Sequence, residues 1–384
     1  MVKTFKYRLY PTRKQCVALQ FTLDRNRELY NAALQERREA YRMSRVSISY
    51  NMQSAQLPEI KEIRPEYKEI HSQILQDTLR RVDKAFKAFF RRLKNGEKPG
   101  YPRFQSYIRY DSFCYPQVGF SIENGNLALS KIGHVKIKLH RPIQGTVKTC
   151  TVKREGDRWY VCFSCEVVTE KLPLSYEDVG IDLGIAHFAA CSDGTMIDNP
   201  RHYRRAEKKL KKLQESLSRK KRGSHRRKKS VKAVSRAHRK VRNQRKDFHH
   251  KESRKLVNKY QVIVFEDLQA ANLSKAPKPK QDENGKYLPN GAAAKGGLNK
   301  SILDAGWNSF TEMVKSKAEN AGRTVLFVNP SYTSQVCSGC GQVRKKDLSE
   351  RWHSCECGCE LDRDHNAAIN ILKLGLGQSL QAIA

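Results

Sequence analysis

Nowhere in its 384 residues does this chain run apolar for long. A helix needs ~20 such positions to span a bilayer, so a membrane-spanning role is set aside. The opening text, MVKTFKYRLYP, lacks the apolar stretch of a secretory leader. The expectation is a cytoplasmic chain with reduced thiols, which removes a disulfide framework as the reason for its eleven cysteines. Acidic residues are scarce too. Asp and Glu number 39 against 74 Lys and Arg, a formal net charge of +35. Solubility does not need such a surplus. It points to a polyanionic partner, nucleic acid ahead of a membrane surface or a ribosome. No internal repeat of useful strength divides the chain.

What is present changes character along the chain. Residues 2–10 alternate Val2, Phe5, Tyr7 and Leu9 with Lys3, Lys6 and Arg8, which predicts a strand ended by Pro11. Residues 12–43 read as a helix, with Leu19, Leu23, Leu29, Ala33 and Leu34 at roughly helical spacing. A polar stretch with Pro58 and Pro65 follows. A second helix is predicted over 67–93, with Leu75, Leu79, Val82, Phe86, Phe89 and Leu93 on one face. Its other face carries Arg80, Arg81, Lys84, Lys87, Arg91 and Arg92. Asn95-Gly96 and Pro99-Gly100 mark turns, and the text from about 105 to 170 then alternates as an antiparallel β module. The opening strand can join that module if 12–93 is an insertion.

From Val179 the pattern is a buried strand, a turn and a second strand. Residues 201–259 are dominated by Lys and Arg, with Leu210, Leu213 and Leu217 at helical spacing. Acidic partners are nearly absent there, which favours a helical hairpin facing RNA or DNA over a solvated charged face. Residues 261–268 read as a buried strand, 271–299 as loop, 300–321 as a helix, 324–329 as a strand and 363–374 as a final helix.

Three acids stand in text that is otherwise apolar. Asp182 interrupts Val179-Gly180-Ile181 and Leu183-Gly184-Ile185, Glu266 ends Val262-Ile263-Val264-Phe265, and Asp364 opens the helix of Ala367, Ala368, Ile369 and Ile371. A buried carboxylate is costly unless it is protonated, paired or bound to metal. Converging at one sheet edge, the three would suit Mg²⁺ or Mn²⁺, hard cations that take carboxylate, water and phosphate oxygens. Two such ions ~3.5–4 Å apart can activate water and stabilise the leaving oxygen in phosphodiester hydrolysis. Asp182 also fits a strand-end cap. Asp267 competes with Glu266, but alternation sets Val262, Val264 and Glu266 on one face and Asp267 on the other. Asp362 competes with Asp364, but it suits a helix cap, leaving Asp364 in the first turn.

Six cysteines (Cys16, Cys114, Cys150, Cys162, Cys165 and Cys191) are scattered and read as small core residues. The other five crowd together. Cys337-Ser338-Gly339-Cys340-Gly341 and Cys355-Glu356-Cys357-Gly358 make a CxxC and a CxC, each followed by Gly, at zinc-ribbon spacing. Cys359 competes with Cys357 for the fourth place, and His353 is an outside candidate. Four sulfur ligands imply a closed, structural Zn²⁺, expected to help position Asp364.

The order Gly180-Ile181-Asp182-Leu183-Gly184, Val264-Phe265-Glu266-Asp267-Leu268, Thr333-Ser334-Gln335-Val336-Cys337-Ser338-Gly339-Cys340-Gly341 and Leu361-Asp362-Arg363-Asp364-His365-Asn366-Ala367-Ala368 resembles the TnpB family. These are the RuvC-like proteins of IS200/IS605-type transposons, regarded as ancestors of the Cas12 nucleases. The N-terminal text Phe5-Lys6-Tyr7-Arg8-Leu9-Tyr10-Pro11 and Leu29-Tyr30-Asn31-Ala32-Ala33-Leu34 resembles it more weakly. The resemblance implies an α+β multidomain protein: a β-barrel wedge domain (1–11 and 105–175) interrupted by a helical recognition domain (12–104). An RNase H-like (RuvC) α/β domain follows (176–336 and 361–376, with the basic hairpin at 201–259), then a zinc-ribbon insertion (337–360) and a tail (377–384). It implies an RNA-guided DNA endonuclease, nucleoid-associated and prokaryotic. Such a protein binds a transposon-encoded guide RNA (ωRNA or reRNA), recognises a short target-adjacent motif in duplex DNA and cuts with Asp182, Glu266 and Asp364. Cys337, Cys340, Cys355 and Cys357 fall on the family's zinc ligands, although many members carry CxxC as the second pair. In this class guide pairing reads most of the sequence, while the protein reads a short duplex motif. Ser49, Tyr50, Ser72, Gln73 and Gln76 are candidate readers, since Gln can address adenine edges bidentately. A plain surface role is the default for each. The expected state is a monomer with no small-molecule substrate. Two other functions share the same acids and charge: a DDE-like transposase performing strand transfer without RNA, and a non-cleaving nucleic-acid-binding regulator.

Overall fold

A computed structural model of the chain describes residues 1–168, 171–344, 347 and 350–377. It separates into two compact units, Met1–Val168 and Thr169–Ala384.

In the first unit helices interrupt a sheet. Strand β1 (Val2–Tyr10) is followed by α1 (Arg13–Ser44), α2 (Tyr50–Ala55), α3 (Leu57–Ile63), a 3-10 turn (Pro65–Glu69) and α4 (Ser72–Lys94). Only then come β2 (Ser112–Tyr115), β3 (Phe120–Glu123), β4 (Asn126–Leu129), β5 (Gly133–Lys138), β6 (Thr146–Glu155) and β7 (Arg158–Glu166). The strands form one antiparallel sheet in the order β2-β6-β7-β1-β5-β4-β3. Strand β1 sits between β7 and β5 because its period-2 residues Phe5, Tyr7 and Leu9 all enter the core. Leu19, Leu23, Leu29, Ala33 and Leu34 of α1 join Leu75, Leu79 and Val82 of α4 in that same core.

Several details depart from the sequence reading. The sheet is an open half-barrel rather than a closed barrel: end strands β2 and β3 do not pair with each other, and each is only four residues long. Closure needs strands long enough to tilt and stagger around an axis. The helix expected at 67–93 starts at Ser72, because Pro65 opens the 3-10 turn and Ile70 is extended. Helices α2 and α3 occupy text that reads merely as polar. Six or seven residues are too few to display a 3.6-residue period, and Ser49 supplies the cap that starts α2. The first unit ends at Val168 rather than at 175. Beyond it the Leu172 N–H donates to the Ala321 carbonyl and Ser175 Oγ to the Lys259 carbonyl, both in the second unit.

The second unit carries β8 (Asp178–Asp182), β9 (His187–Cys191), β10 (Met196–Asp198), α5 (His202–Ser218), α6 (His225–Lys259) and β11 (Val262–Glu266). Helix α7 (Ala270–Leu273), the small hairpin β12 (Lys280–Gln281) and β13 (Tyr287–Leu288), α8 (Ala292–Ala305), α9 (Trp307–Ala321) and β14 (Thr324–Val328) follow. Strands β15 (Trp352–Ser354) and β16 (Glu360–Asp362) lead into α10 (Arg363–Gly375). The main sheet runs β10-β9-β8-β11-β14, with β8, β11 and β14 parallel and β9 and β10 antiparallel. The single helix read at 300–321 is two helices broken at Gly306, which is left-handed, and the first begins in text read as loop. Its opening Ala292–Ala294 run favours helix, although Gly296 and Gly297 mask that preference. Of the expected tail only Gly377 is described; 378–384 lie outside the described residues.

Each face of this sheet has its own covering. Val179, Ile181, Ile263 and Phe265 point to α6 and α9, where Leu256, Val257, Phe310, Val314 and Ala318 bury them. The opposite face meets α10. There a Cβ on Gly180 would lie 2.1 Å from the Ala368 carbonyl oxygen and 2.5 Å from the Leu372 nitrogen. A Cβ on Gly375 would lie 2.5 Å from both methyls of Val264. Glycine at these two points lets α10 lie directly on β8 and β11. Gly180→Ala is therefore expected to push α10 off the sheet, since backbone atoms cannot rotate away. Overpacking of this kind costs about 1–3 kcal/mol, a melting temperature lower by about 3–10 °C for a unit of this size. A thermal melt checks it, and an unchanged melting temperature would contradict the packing described.

Candidate active site

Alternation carries the site from this packing. Gly180 faces α10, so Asp182, two residues on, faces the same way at the end of β8; Val264 faces α10, so Glu266 does too at the end of β11. Asp364 enters from the first turn of α10. One of its oxygens, Oδ2, lies 3.8 Å from where a Cβ on Gly184 would stand, just past Asp182. Asp267 lies exposed, its carboxylate accepting from Gln269. Asp362 is the cap of α10: its Oδ1 accepts the Asp364 N–H at 2.8 Å and the His365 N–H at 3.4 Å. Both neighbouring acids thus have other environments.

Asp182 feels both of the other carboxylates. Burial pushes Asp182 well above the ordinary carboxylate range, and the charges of Glu266 and Asp364 push the same way; Arg363 opposes them. Glu266 is buried at 9 % exposure, which raises its pKa, while the bond from Thr333 lowers it. Thr333 Oγ1 donates to Glu266 Oε1 at 2.5 Å. The carboxylate oxygens do not all approach within 4.8 Å of one another, as the knuckle sulfurs do. A donor set of three carboxylates at the ends of β8 and β11 and the start of α10, with the charges of Glu266 and Asp364 bearing on Asp182, suits a hard divalent cation. A pH effect follows. Asp182 binds its proton more tightly in the folded state than in the unfolded chain, where aspartate titrates near about 3.9. Its contribution to stability is full below that range and is lost as pH rises through the raised folded value. Melts without added Mg²⁺, from about pH 4 to 8, should show that decline in the parent and a flatter profile in Asp182→Asn. Equal slopes in the two would count against the burial and charge crowding at Asp182.

The cysteine cluster is built by two tight turns. The Gly341 N–H donates to the Cys337 carbonyl at 2.9 Å, and the Gly358 N–H to the Cys355 carbonyl at 2.9 Å. The sulfurs of Cys337, Cys340, Cys355 and Cys357 all lie within 4.8 Å of one another. Cys337 and Cys357 sulfurs are 3.6 Å apart, Cys340 and Cys355 sulfurs 3.5 Å. Four sulfurs about 2.3 Å from a common centre in a tetrahedron stand about 3.8 Å apart, so the four fit zinc. Cys359 groups instead with Cys337 and His353, and its sulfur is 3.8 Å from Ser338 Oγ. Burial alone would raise the Cys337 thiol, but the backbone of Cys340 and Gly339 and the side chains of His353 and Cys357 bring it down to about 5. The hydrogen bonds thus favour the Cys337 thiolate, the form that binds metal, while Cys340 and Cys357 beside it are held up.

The candidate motif readers lie on α2 and α4 or at their starts. Ser49 Oγ accepts the Met52 N–H at 3.3 Å as the cap of α2, and Gln73 Oε1 accepts the Val118 N–H at 3.3 Å. Tyr50 accepts from Arg80 Nε at 3.2 Å, and Ser72 from Lys61 Nζ at 2.8 Å. Gln76 is half-buried one turn along α4 from Gln73. Thr333 went unassigned in the sequence, because a threonine in loop text gives no periodic signal. Asn366 and Asn370 did leave one: two amides four apart in an otherwise apolar helix.

Comparison with known proteins gives the family. Residues 160–276 match the OrfB_IS605 family, described as "Probable transposase"; residues 1–45 match its "Helix-turn-helix domain" and residues 307–371 a "Cas12f1-like, TNB domain". A protein of Streptomyces pristinaespiralis named "Putative RNA-guided DNA endonuclease" is 36 % identical over 98 % of this chain and 90 % of its own length. InsQ of Escherichia coli K12, which bears the same description, is 33 % identical over 97 % of this chain and 92 % of its own. Among solved structures, the mini RNA-guided endonuclease CRISPR-Cas_phi3 matches all of this chain and 93 % of its own with a TM-score of 0.51 and 12 % identity, a likeness of fold. Fold and sequence together thus define a transposon protein of the IS605 type. The chain belongs to the TnpB family of IS200/IS605-type elements.

Proposed function

We propose that this chain is an RNA-guided DNA endonuclease that binds a transposon-encoded guide RNA (ωRNA) and hydrolyses DNA at one RuvC-type site. The carrying observation is the electrostatic cluster of Asp182, Glu266 and Asp364 on the α10 side of a β10-β9-β8-β11-β14 sheet. That strand order, with three parallel and two antiparallel members, supports an RNase H-like reading. Asp182, Glu266 and Asp364 would hold Mg²⁺ or Mn²⁺ in a two-metal arrangement. The cations would supply Lewis acidity and an activated water when bound. The chain's residues do the rest. Thr333 fixes one oxygen of Glu266, Asp362 caps α10 so that Asp364 stays in its first turn, and Arg363 offsets the negative charge. The basic hairpin α5–α6 is the proposed RNA-contacting surface, and Ser49, Tyr50, Ser72, Gln73 and Gln76 remain the proposed motif readers. The protein is proposed to act as a monomer in the bacterial nucleoid. The test is purification with its transposon flank expressed alongside. A single structured RNA whose 3′ end follows the flank, and Mg²⁺-dependent cleavage of a matched plasmid, are the expected results. Strand transfer of transposon ends without RNA would replace this reading with a transposase.

A further inference from the structure

Between Glu266 and the zinc knuckle lies a buried polar seam. Thr333, Ser338, Asn366 and Asn370 are 3 %, 7 %, 0 % and 1 % exposed. In such a place polar groups need partners, and most of these find one within the seam, on side chains or on the loop backbone, Asn370 Oδ1 excepted. Asn366 Oδ1 accepts the Ser338 N–H at 2.9 Å while its Nδ2 donates to the Val336 carbonyl at 2.8 Å. Turning that amide over would set its NH₂ against the Ser338 N–H, so its orientation is fixed. Asn370 Nδ2 donates to the carbonyls of Thr333 at 2.9 Å and Val336 at 2.7 Å. Lys373 Nζ donates to the Ser338 carbonyl at 2.5 Å. The Thr333 hydroxyl has one proton and two acceptors in reach: Glu266 Oε1 at 2.5 Å and the Pro330 carbonyl at 3.2 Å. The shorter contact, to Glu266, takes it.

These bonds make one chain of contacts. The first knuckle turn begins at Cys337, flanked by Val336 and Ser338, which Asn366 grips from α10 two residues after Asp364. The same loop, held at Thr333 by Asn370, reaches Glu266. We propose that Thr333, Asn366 and Asn370 are positioning residues that lock Glu266 and Asp364 to the zinc knuckle, so that the carboxylates accept a divalent cation together only when the knuckle is folded. This rests on the reading of Asp182, Glu266 and Asp364 as cation ligands. The knuckle cysteines would thereby influence the carboxylates through a hydrogen-bonded seam.

Mn²⁺ binding to the full chain, followed by electron paramagnetic resonance without RNA or DNA, tests this apart from cleavage. Asp182→Asn comes first. If it binds Mn²⁺ like the parent, the carboxylate reading itself fails. If it weakens binding, Thr333→Val becomes decisive. It keeps the shape and removes the O–H, and loss of an outer-sphere partner of this kind lowers metal affinity by about tenfold or more. Zinc content should be unchanged, and Thr333→Ser, which restores the hydroxyl, should restore Mn²⁺ binding. Cys340→Ser should weaken Mn²⁺ binding as Thr333→Val does. Parent-like Mn²⁺ affinity in Thr333→Val, or failure of Thr333→Ser to rescue it, would overturn the proposal. So would parent-like affinity in zinc-depleted Cys340→Ser.

Discussion

Asp182→Asn is expected to lower guide-directed DNA cleavage by about 10⁴-fold, because groups that act as one unit lose nearly all their effect together. Asp182 is the acid that feels both of the others: Glu266 and Asp364 are the charges that most raise its pKa after burial. Replacing it by Asn removes one negative charge and one anionic ligand and leaves the strand intact. Asp182 lies at the end of β8, where the Ile181–Cys191 and Asp182–Ala190 pairing is made by backbone atoms. The hairpin α5–α6 is untouched, so RNA binding should stay within a few-fold of the parent. Single-turnover cleavage of a matched plasmid, with filter binding of the guide RNA in parallel, separates the two effects. Cleavage within tenfold of the parent would falsify the assignment of Asp182. Equal losses of RNA binding and cleavage would mean that the substitution had disturbed the fold.

Asp182 and Glu266 stand out in the sequence for a physical reason. A carboxylate inside an apolar strand violates its surroundings, and alternation then says which face it takes. That logic separated Glu266 from Asp267, and the helix-cap logic separated Asp364 from Asp362; the hydrogen bonds of Asp362 and the exposure of Asp267 follow the same division. Where periodicity was absent, reading failed. Helices α2 and α3 are too short to repeat, and the start of α8 is hidden by two glycines. Whether β2 and β3 meet is decided by the shape of the whole sheet, which no local pattern encodes. Thr333 illustrates the same limit within the site. Its importance comes from the placement of its hydroxyl against Glu266, 67 residues away in sequence.

The fifth cysteine separates the two zinc readings most sharply. Cys357→Ser is expected to release zinc, and Cys359→Ser to keep it. Sulfurs 3.5 and 3.6 Å apart across the two pairs are close to the tetrahedral edge, and Cys357 belongs to that set. Among the described residues Cys359 groups instead with Cys337 and His353. Structural zinc in small sites is held by about 10–16 kcal/mol, so losing one of four similar ligands costs about a quarter of that, a drop in affinity of about 10² to 10³-fold. Cys357 is also the exposed member of the set, so its replacement by Ser leaves little packing to disturb. Metal analysis after gel filtration gives the first reading, and competition with a chromogenic chelator gives the affinity. Retention in Cys357→Ser with loss in Cys359→Ser would exchange the two residues. The ligand set would then be a Cys355-and-Cys359 pair, and the second turn would have to open by two residues to bring the Cys359 sulfur to Cys340.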